Sequence, residues 1–458
     1  MFDLFILLNF LYFFERNPFV WRAAVIKAAL LFSGVLGVAW MPAIAVAGSE
    51  TDNLQKAIQI AIDQDPWLTG SMSTEAALEN EAIASAQLPD PQISLKAGNL
   101  PVDTFDLNQE GMTQFSVGIS QKFPRGDSLA LAKQQKQQIA SQQPMLRQDR
   151  EARVEATVSQ LWLEATRAQL SISRIERDRS LFEQLADVAE VGYASAFGMT
   201  RQDDVIRAQL ELTRLDDRLT DLRQQQEAVE RQLSEWLGSD AIMPIVADFP
   251  GLELEEPKLF TAVERPDRQA WYERVRYHPA VLAVDKTIDA METGVDAARQ
   301  QYKPEWGVSA QYSYREDDPM GGSRADLFSV GVTFDLPIFT ENRQDKRVAA
   351  AASRHESVQY QRESLIRELI ARLETNWAKL SRLDERLALY GNRLLPELSE
   401  QAEASLNAYN NDDGDFAEAV RARIDETNAS VELIGLKAQR LKVISDINYL
   451  LSQGTSSR

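Results

Sequence analysis

The sequence has no cysteine and only two histidines, His278 and His355. Without cysteine there is no disulfide, no thiolate metal site and no lipid attached at a cysteine. The two histidines lie in different segments, so we expect no metal site and no cofactor. The sequence also lacks a nucleophile elbow, a phosphate-binding loop and a zinc-binding helix motif. We therefore expect a protein that is not an enzyme.

Basic residues are few, since 49 lysines and arginines stand against 69 acidic residues and give a net charge of −20. Nucleic-acid-binding proteins are typically basic, so we expect no nucleic acid as a partner. The length of 458 residues would allow two to four domains. The hydrophobic pattern described below favours one elongated unit instead.

Long apolar runs are scarce beyond the first 48 residues. Arg22 and Lys27 precede an apolar run over 28–40, and a small-residue pattern ends at Ala47. This order is typical of a secretory signal peptide, which we predict over 1–47. We interpret the apolar stretch 1–14 as a long leader or a start codon assigned too early; an N-terminal membrane anchor is the alternative.

Apolar residues recur at alternating spacings of four and three along two long segments, as in the seam of a coiled coil. The first set is Val154, Val158, Leu161, Ala165, Ala168, Ile172, Ile175 and, after Arg179, Phe182. The second set is Val205, Ala208, Leu212, Leu215, Leu219, Leu222, Val229 and Leu233, interrupted by Gln226. We predict a long helical hairpin over 127–237 that turns within 191–200 and is kinked near Pro144.

The chain repeats itself. Asp65-Pro66 matches His278-Pro279 at an offset of 213, and Tyr193 and Gly198 match Tyr409 and Gly414 at an offset of 216. The first repeat covers 48–238, with strands at about 91–99 and 113–123 and helices at about 126–190 and 200–237. A proline-rich connector covers 239–270. The second repeat covers 271–454, with strands at about 305–314 and 327–336 and helices at about 341–407 and 415–451, the first of them kinked near Pro396.

The four predicted strands alternate apolar and small polar residues, as strands of an outer-membrane barrel do. Aromatic residues cluster toward the strand ends, at Trp306, Tyr312, Tyr314, Phe328, Phe334 and Phe123. Four strands cannot close a barrel, and an open sheet edge is not tolerated in lipid. If these strands enter a membrane, the chain must form an oligomer.

The duplicated plan, the signal peptide and two motifs resemble the TolC-like outer-membrane efflux proteins. The motifs are Leu88-Pro-Asp-Pro-Gln-Ile-Ser-Leu95 followed by Asn99-Leu-Pro101, and Gln121-Lys-Phe-Pro124. Both are most similar to the branch that serves heavy-metal efflux pumps, and the resemblance covers about 51–454.

The resemblance implies a mainly α fold with a small β part. Three chains would form a trimeric α-barrel tunnel in the periplasm and a twelve-stranded β-barrel, four strands per chain, in the outer membrane of a Gram-negative bacterium. The implied partners are the two other subunits, outer-membrane lipid, a periplasmic adaptor protein and a proton-driven inner-membrane pump. The implied function is a passive exit duct for heavy-metal cations.

The resemblance also implies that the hairpin tips dock to the adaptor and form the gate. The family's tip pattern is an aromatic residue, a glycine and then an acid on the returning helix. Its matches here are Tyr193, Gly198 and Asp204 in the first repeat, and Tyr409, Gly414 and Glu418 in the second. We predict that Tyr193, Gly198, Tyr409 and Gly414 form the adaptor-docking tips.

The candidate gate residues are Asp204, Arg207, Asp415, Glu418, Arg421 and Arg423. Related channels carry a second acid where this chain has Arg207 and Arg421, so a ring of acids is not expected. Ion pairs between subunits are the substitute we consider, from Asp415 or Glu418 of one chain to Arg421 or Arg423 of the next. The alternative is that these charges are solvated at helix starts, where acids are favoured in any case.

Two other functions stay open. The same duct could carry drugs or a secreted polypeptide, because selectivity in such assemblies rests mainly with the pump. In a different class, the heptads alone would fit a secreted, non-membrane coiled-coil scaffold.

Overall fold

The computed structural model describes residues 50–194, 201–238, 248–256, 267–411 and 413–454. The predicted signal peptide, Gly198 and most of the predicted connector lie outside these ranges. Among the described residues, no helix is both long and apolar enough to cross a membrane.

The two halves of the chain contain the same series of elements. The first half consists of α1 (Glu50–Asp63), α2 (Pro66–Ser85), β1 (Gln92–Gly98), β2 (Gln114–Phe123), α3 (Ser128–Ala140), α4 (Gln142–Ala194) and α5 (Gln202–Leu237). The second half consists of α6 (Arg268–Val275), α7 (Pro279–Arg299), β3 (Trp306–Tyr314), β4 (Leu327–Phe334), α8 (Gln344–Leu389), α9 (Leu395–Asn410) and α10 (Phe416–Leu451). The prediction of a mainly helical chain with four strands is confirmed.

Equivalent residues start the second helix of each half. Asp65 caps α2 by accepting a hydrogen bond from the backbone N–H of Trp67 at 2.9 Å. His278 caps α7 in the same way, since its Nδ1 accepts from the backbone N–H of Ala280 at 3.2 Å. A proline follows each cap, where its missing N–H costs the helix nothing.

The strands form one antiparallel sheet in the order β1-β2-β3-β4. Cross-strand pairing places Leu95, Val117, Tyr312 and Phe328 in one row of the same face. All four side chains are exposed, and the exposed fraction reaches 77% at Leu95 and 71% at Phe328. The sheet therefore presents a continuous apolar face that no other described element covers.

The long helices form two hairpins that lie side by side. Helix α4 packs against α5, α10 packs against α8 and α9, and α4 contacts α10 across the middle. Buried side chains fill three clusters: one in each half near the helix ends away from the tips, and a third toward the tips, where Phe182 and Leu219 meet Phe416 and Val420. The predicted heptad residues supply much of this core; Val158, Ala165, Ala168 and Ile175 are fully buried.

Two predicted helices are interrupted. The helix predicted over about 126–190 is divided at Ser141 into α3 and α4. The break precedes Pro144, which then lies in the first turn of α4, where proline is tolerated. In the second half a π-helical turn, Tyr390–Leu394, separates α8 from α9 just before Pro396. This wider turn accommodates the carbonyl group that the proline leaves without its usual N–H partner.

Candidate functional site

The acids at the starts of the two returning helices are helix caps. The Asp204 carboxylate accepts a hydrogen bond from the backbone N–H of Arg201 at 2.9 Å, and the side chain is buried. The Asp415 carboxylate accepts one from the backbone N–H of Ala417 at 3.2 Å. Both interactions satisfy N–H groups that a helix start leaves unpaired. Each of these two predicted gate residues is therefore already held by its own helix.

The predicted docking residues differ in what they contact. Tyr193 is 54% exposed near the end of α4. Tyr409 instead packs edge-on against Phe416, with ring centres 5.3 Å apart. A Cβ atom on Gly414 would lie 2.7 Å from the Tyr409 backbone nitrogen, so only glycine fits at this turn. Of the described docking candidates, Tyr193 alone has an exposed aromatic ring. Tyr409 and Gly414 instead make contacts within the turn between α9 and α10.

The structure brings two predicted gate residues to one groove. Arg207 and Arg421 line a groove of about 550 Å³ between the first turns of α5 and α10, with Ile206 and Leu210 among its apolar neighbours. Glu418 and Arg421 are exposed. Arg423 differs, because its guanidinium forms an ion pair with Glu426 at 2.5 Å within α10.

A buried polar network below the tips was not predicted from the sequence. Asp178 on α4 is 3% exposed and accepts hydrogen bonds from Arg174 Nε and from the Thr427 hydroxyl on α10, both at 2.8 Å. Glu426 joins the network, since it contacts both Arg174 and Arg423. These groups tie the first hairpin to the second. The sequence signal is weak, because these polar residues lie off the heptad stripe.

A second polar cluster surrounds His278, which is fully buried. Its Nε2 lies 3.1 Å from the carbonyl oxygen of Tyr449, and the Tyr449 hydroxyl donates to Asp149 at 3.1 Å. Burial lowers the pKa of His278 below its usual value, although the Asp149 carboxylate opposes the shift. Burial also raises the pKa of Tyr449 to about 12. The neutral imidazole is therefore the form that fits this site.

The other face of the sheet is polar and crowded. Ser94, Gly118, Gln311 and Ser329 form one of its rows. A Cβ atom on Gly118 would lie 2.7 Å from Ser94 Oγ, and similar contacts at Gly307 and Gly331 involve Thr333 and Ser309. Such crowding leaves room only for small residues at these positions, where side chains of the neighbouring strands approach closely.

Comparison with known proteins agrees with this architecture. The family model described as "Outer membrane efflux protein" matches residues 275–446. No curated protein gives a significant match to the sequence.

Three solved structures illustrate the likeness in fold. The outer-membrane channel OprN has a TM-score of 0.72 at 14% identity, over 88% of this chain and 91% of that chain. CusC has a TM-score of 0.69 at 16% identity, over 88% and 92%. The outer membrane protein VceC from Vibrio cholerae has a TM-score of 0.70 at 13% identity, over 88% and 97%. The chain therefore has the fold of these outer-membrane channels, and its residues 275–446 carry the sequence pattern of the outer membrane efflux proteins.

Proposed function

We propose that this chain is one of three identical subunits of a passive exit duct in a Gram-negative outer membrane. The duct serves a tripartite efflux system, in which a periplasmic adaptor links it to a proton-driven inner-membrane pump. The observation that carries the proposal is a four-stranded sheet with an exposed apolar face and two edges that no described strand pairs with, attached to long paired helices. A duct of this kind performs no chemistry of its own.

The order of the elements supports a closed ring of subunits. In the sheet, β1 of the first repeat and β4 of the second occupy opposite edges. In the helical layer, α5 packs beside α4, and α8 and α9 pack on the far side of α10. Each edge of the first repeat can thus meet an edge of the second repeat from the next copy. Three copies would give twelve strands, enough to close a barrel without a free edge.

The apolar face covers most of the height of the apolar band of an outer-membrane barrel. Phe123, Trp306 and Phe334 are neighbours at the helical end of this face. Tyr314 lies at the other end, eight positions after Trp306, which corresponds to roughly 26 Å along a strand and to about 20 Å of height at a tilt of about 40°. The apolar band of outer-membrane barrels is about 25 Å tall and is flanked by aromatic residues. We assign this face to the lipid and the polar face to the lumen.

The hairpin tips are the proposed adaptor-docking and gating region. For docking we propose direct contact through Tyr193 and Gly198, with Tyr409 and Gly414 fixing the turn of the second hairpin. For the gate we favour Glu418 and Arg421 over Asp204 and Asp415, because those two aspartates accept hydrogen bonds from the starts of their own helices. Exposed Glu418 and Arg421 remain for an ion pair between neighbouring subunits.

The cargo we propose from the motifs at residues 88–95 and 121–124 is heavy-metal cations. The described residues contain no cluster of three or more potential metal-ligating side chains, and a passive duct does not need one. A strain lacking the gene should become sensitive to metals such as copper, silver, zinc, cobalt or nickel. Sensitivity to drugs or bile salts alone would reassign the cargo to drugs, and loss of a secreted polypeptide would reassign it to secretion.

One pair of variants tests the membrane assignment. Val330 lies on the apolar face, and its neighbour Ser329 lies on the polar face, near the middle of β4. Arginine on a lipid face costs about 2–4 kcal/mol at the bilayer midplane and much less on a lumen face. Val330→Arg should therefore deplete the protein from the outer-membrane fraction, while Ser329→Arg should leave it there as a trimer that migrates differently before and after heating.

Depletion of Ser329→Arg but not of Val330→Arg from the outer-membrane fraction, or equal levels of both variants there, would contradict the barrel. If the wild-type protein were found in the soluble periplasmic fraction, the secreted coiled-coil scaffold would replace the duct as the assigned function.

A further inference from the structure

The four strands carry only two charged residues, Lys96 and Lys122. No aspartate or glutamate occurs in β1, β2, β3 or β4, although acids outnumber bases in the whole chain by 69 to 49. The charge of the sheet is therefore opposite in sign to that of the protein.

Both lysines lie on the polar face. Lys96 pairs with Ser116, which pairs in turn with Ser313, and Lys122 pairs with Gly307. Six residues separate Ser116 from Lys122 along β2, so the two lysines lie at levels roughly 20 Å apart. The rows between them contain only serine, glycine and glutamine.

Neither lysine is neutralised by any residue of its own chain that the structure describes. Both side chains are exposed, and within the described residues neither ammonium group forms an ion pair. Other surface lysines of this chain do have partners; Lys303, for example, lies 2.9 Å from Asp127. The positive charge of the two lysines therefore acts on any ion or molecule that lies in front of the polar face.

We propose that Lys96 and Lys122 make the barrel lumen a cationic passage that admits anions and neutral molecules more readily than free cations. The proposal rests on the proposed function, because three copies would convert the two lysines into two rings of three positive charges. Charge of one sign on the wall of a narrow, low-dielectric passage concentrates counter-ions and repels ions of like charge. The wall of the barrel would then not attract bare metal cations, and their passage would depend on transport by the pump.

The absence of cysteine allows a direct test with thiol reagents in intact cells. Ser329→Cys places a single thiol on the polar face, in the row between the two lysine levels, and Val330→Cys places one on the apolar face. Each variant is treated from outside with a negatively charged and a positively charged methanethiosulfonate. The measured quantity is the ratio of the anionic to the cationic labelling rate at Ser329→Cys, with and without Lys96→Gln and Lys122→Gln.

We expect the ratio to fall by about tenfold when both lysines are replaced, in line with the local concentration changes that such fields produce. Lys96→Glu should lower it further. Met320→Cys, in a loop where the native side chain is 97% exposed, is the control whose ratio should not change with the lysines.

The outcomes separate the two proposals. If Ser329→Cys is labelled but the ratio of anionic to cationic labelling does not change when the lysines are replaced, the cationic passage is overturned and the proposed duct is not. Labelling of Val330→Cys in place of Ser329→Cys would overturn the barrel itself. No labelling at either position would show that the polar face is not open to external ions, which also contradicts the cationic passage.

Discussion

The hydroxyl of Thr427 donates a hydrogen bond of 2.8 Å to the buried carboxylate of Asp178, a residue 249 positions earlier in the chain. The bond joins α4 of the first hairpin to α10 of the second. Removal of this donor while the hairpins stay packed would leave a buried carboxylate without one of its partners, which is far more costly than loss of an exposed contact.

Thr427→Val should weaken this junction by about 1–3 kcal/mol, because the shape is kept while the donor is lost. Limited proteolysis of the purified protein near the tips provides the measurement. The cleavage rate should rise about tenfold for each 1.4 kcal/mol lost, since it follows the population of the separated state. Thr213→Val is the matched control, because that hydroxyl donates only to the carbonyl of Gln209 in its own helix. Equal cleavage of both variants would contradict the role of the junction.

His278 should make the stability of the protein depend on pH. Burial lowers its pKa in the folded state, so the unfolded chain takes up a proton first, near pH 6.5. The stabilisation that the neutral His278 ring gives the folded protein is fully present above about pH 6.5, and it is lost as the pH falls toward the lower pKa of the folded state. A charged ring would also lose the Nδ1 acceptor that caps α7. Asp149, Arg153 and Arg372 are the charged groups that face it.

His278→Asn keeps a capping acceptor and removes this titration. We expect the rate of thermal unfolding to rise less between pH 7.5 and pH 5.5 in this variant than in the wild type. His355→Asn, which changes the other histidine, should behave like the wild type. An unchanged pH dependence in His278→Asn would assign the effect to other groups.

Gly414→Ala should distort the turn between α9 and α10. The new Cβ atom would meet backbone and Cβ atoms of Ala408 and Tyr409 at 2.7–2.9 Å, and backbone cannot move aside as a flexible side chain can. If the chain is the proposed duct, complementation of the gene deletion should fall, while the amount of protein in the outer-membrane fraction stays the same. Gly435→Ala is the control, because it lies within α10 and its Cβ would meet nothing within 4 Å. Full complementation by Gly414→Ala would show that the tip tolerates the change.

The proposed gate predicts a charge-swap result. Glu418→Arg and Arg421→Glu should each admit a large antibiotic that the wild type excludes, because each removes three attractions between subunits and adds repulsion. Each exposed pair is worth less than about 1 kcal/mol, so the effect requires the threefold set. The double variant should restore exclusion. If it is as permeable as the single variants, the two residues are not partners.

The helical seams and the four strands could be predicted because each depends on a local period. The alternation of Ser329 and Val330 shows the two faces of β4, and the heptads show which side of α4 is buried. The Asp178–Thr427 contact could not be predicted, since a heptad identifies one stripe of a helix and this contact lies on another. The sequence predicts a kink near Pro144, and the break lies three residues before it, at Ser141.

The acids at the tips illustrate a different limit. Asp204 and Asp415 match positions where a gate is expected, and they also match positions where a helix start favours an acid. The spacing in the sequence is the same for a gate residue and for a residue that caps a helix. Only the hydrogen bonds to Arg201 and Ala417 distinguish a residue held by its own helix from one that is free to meet a neighbour.

Gln226 interrupts the apolar seam of α5, and its side-chain amide donates a hydrogen bond of 2.9 Å to Gln169 Oε1 on α4. A shift of α5 along α4 by one helical turn, about 5.4 Å, would separate these two amides and place each against apolar neighbours. The pair thus favours the observed axial register of the hairpin. A piston-like stroke of α5 along α4 is therefore opposed by this pair.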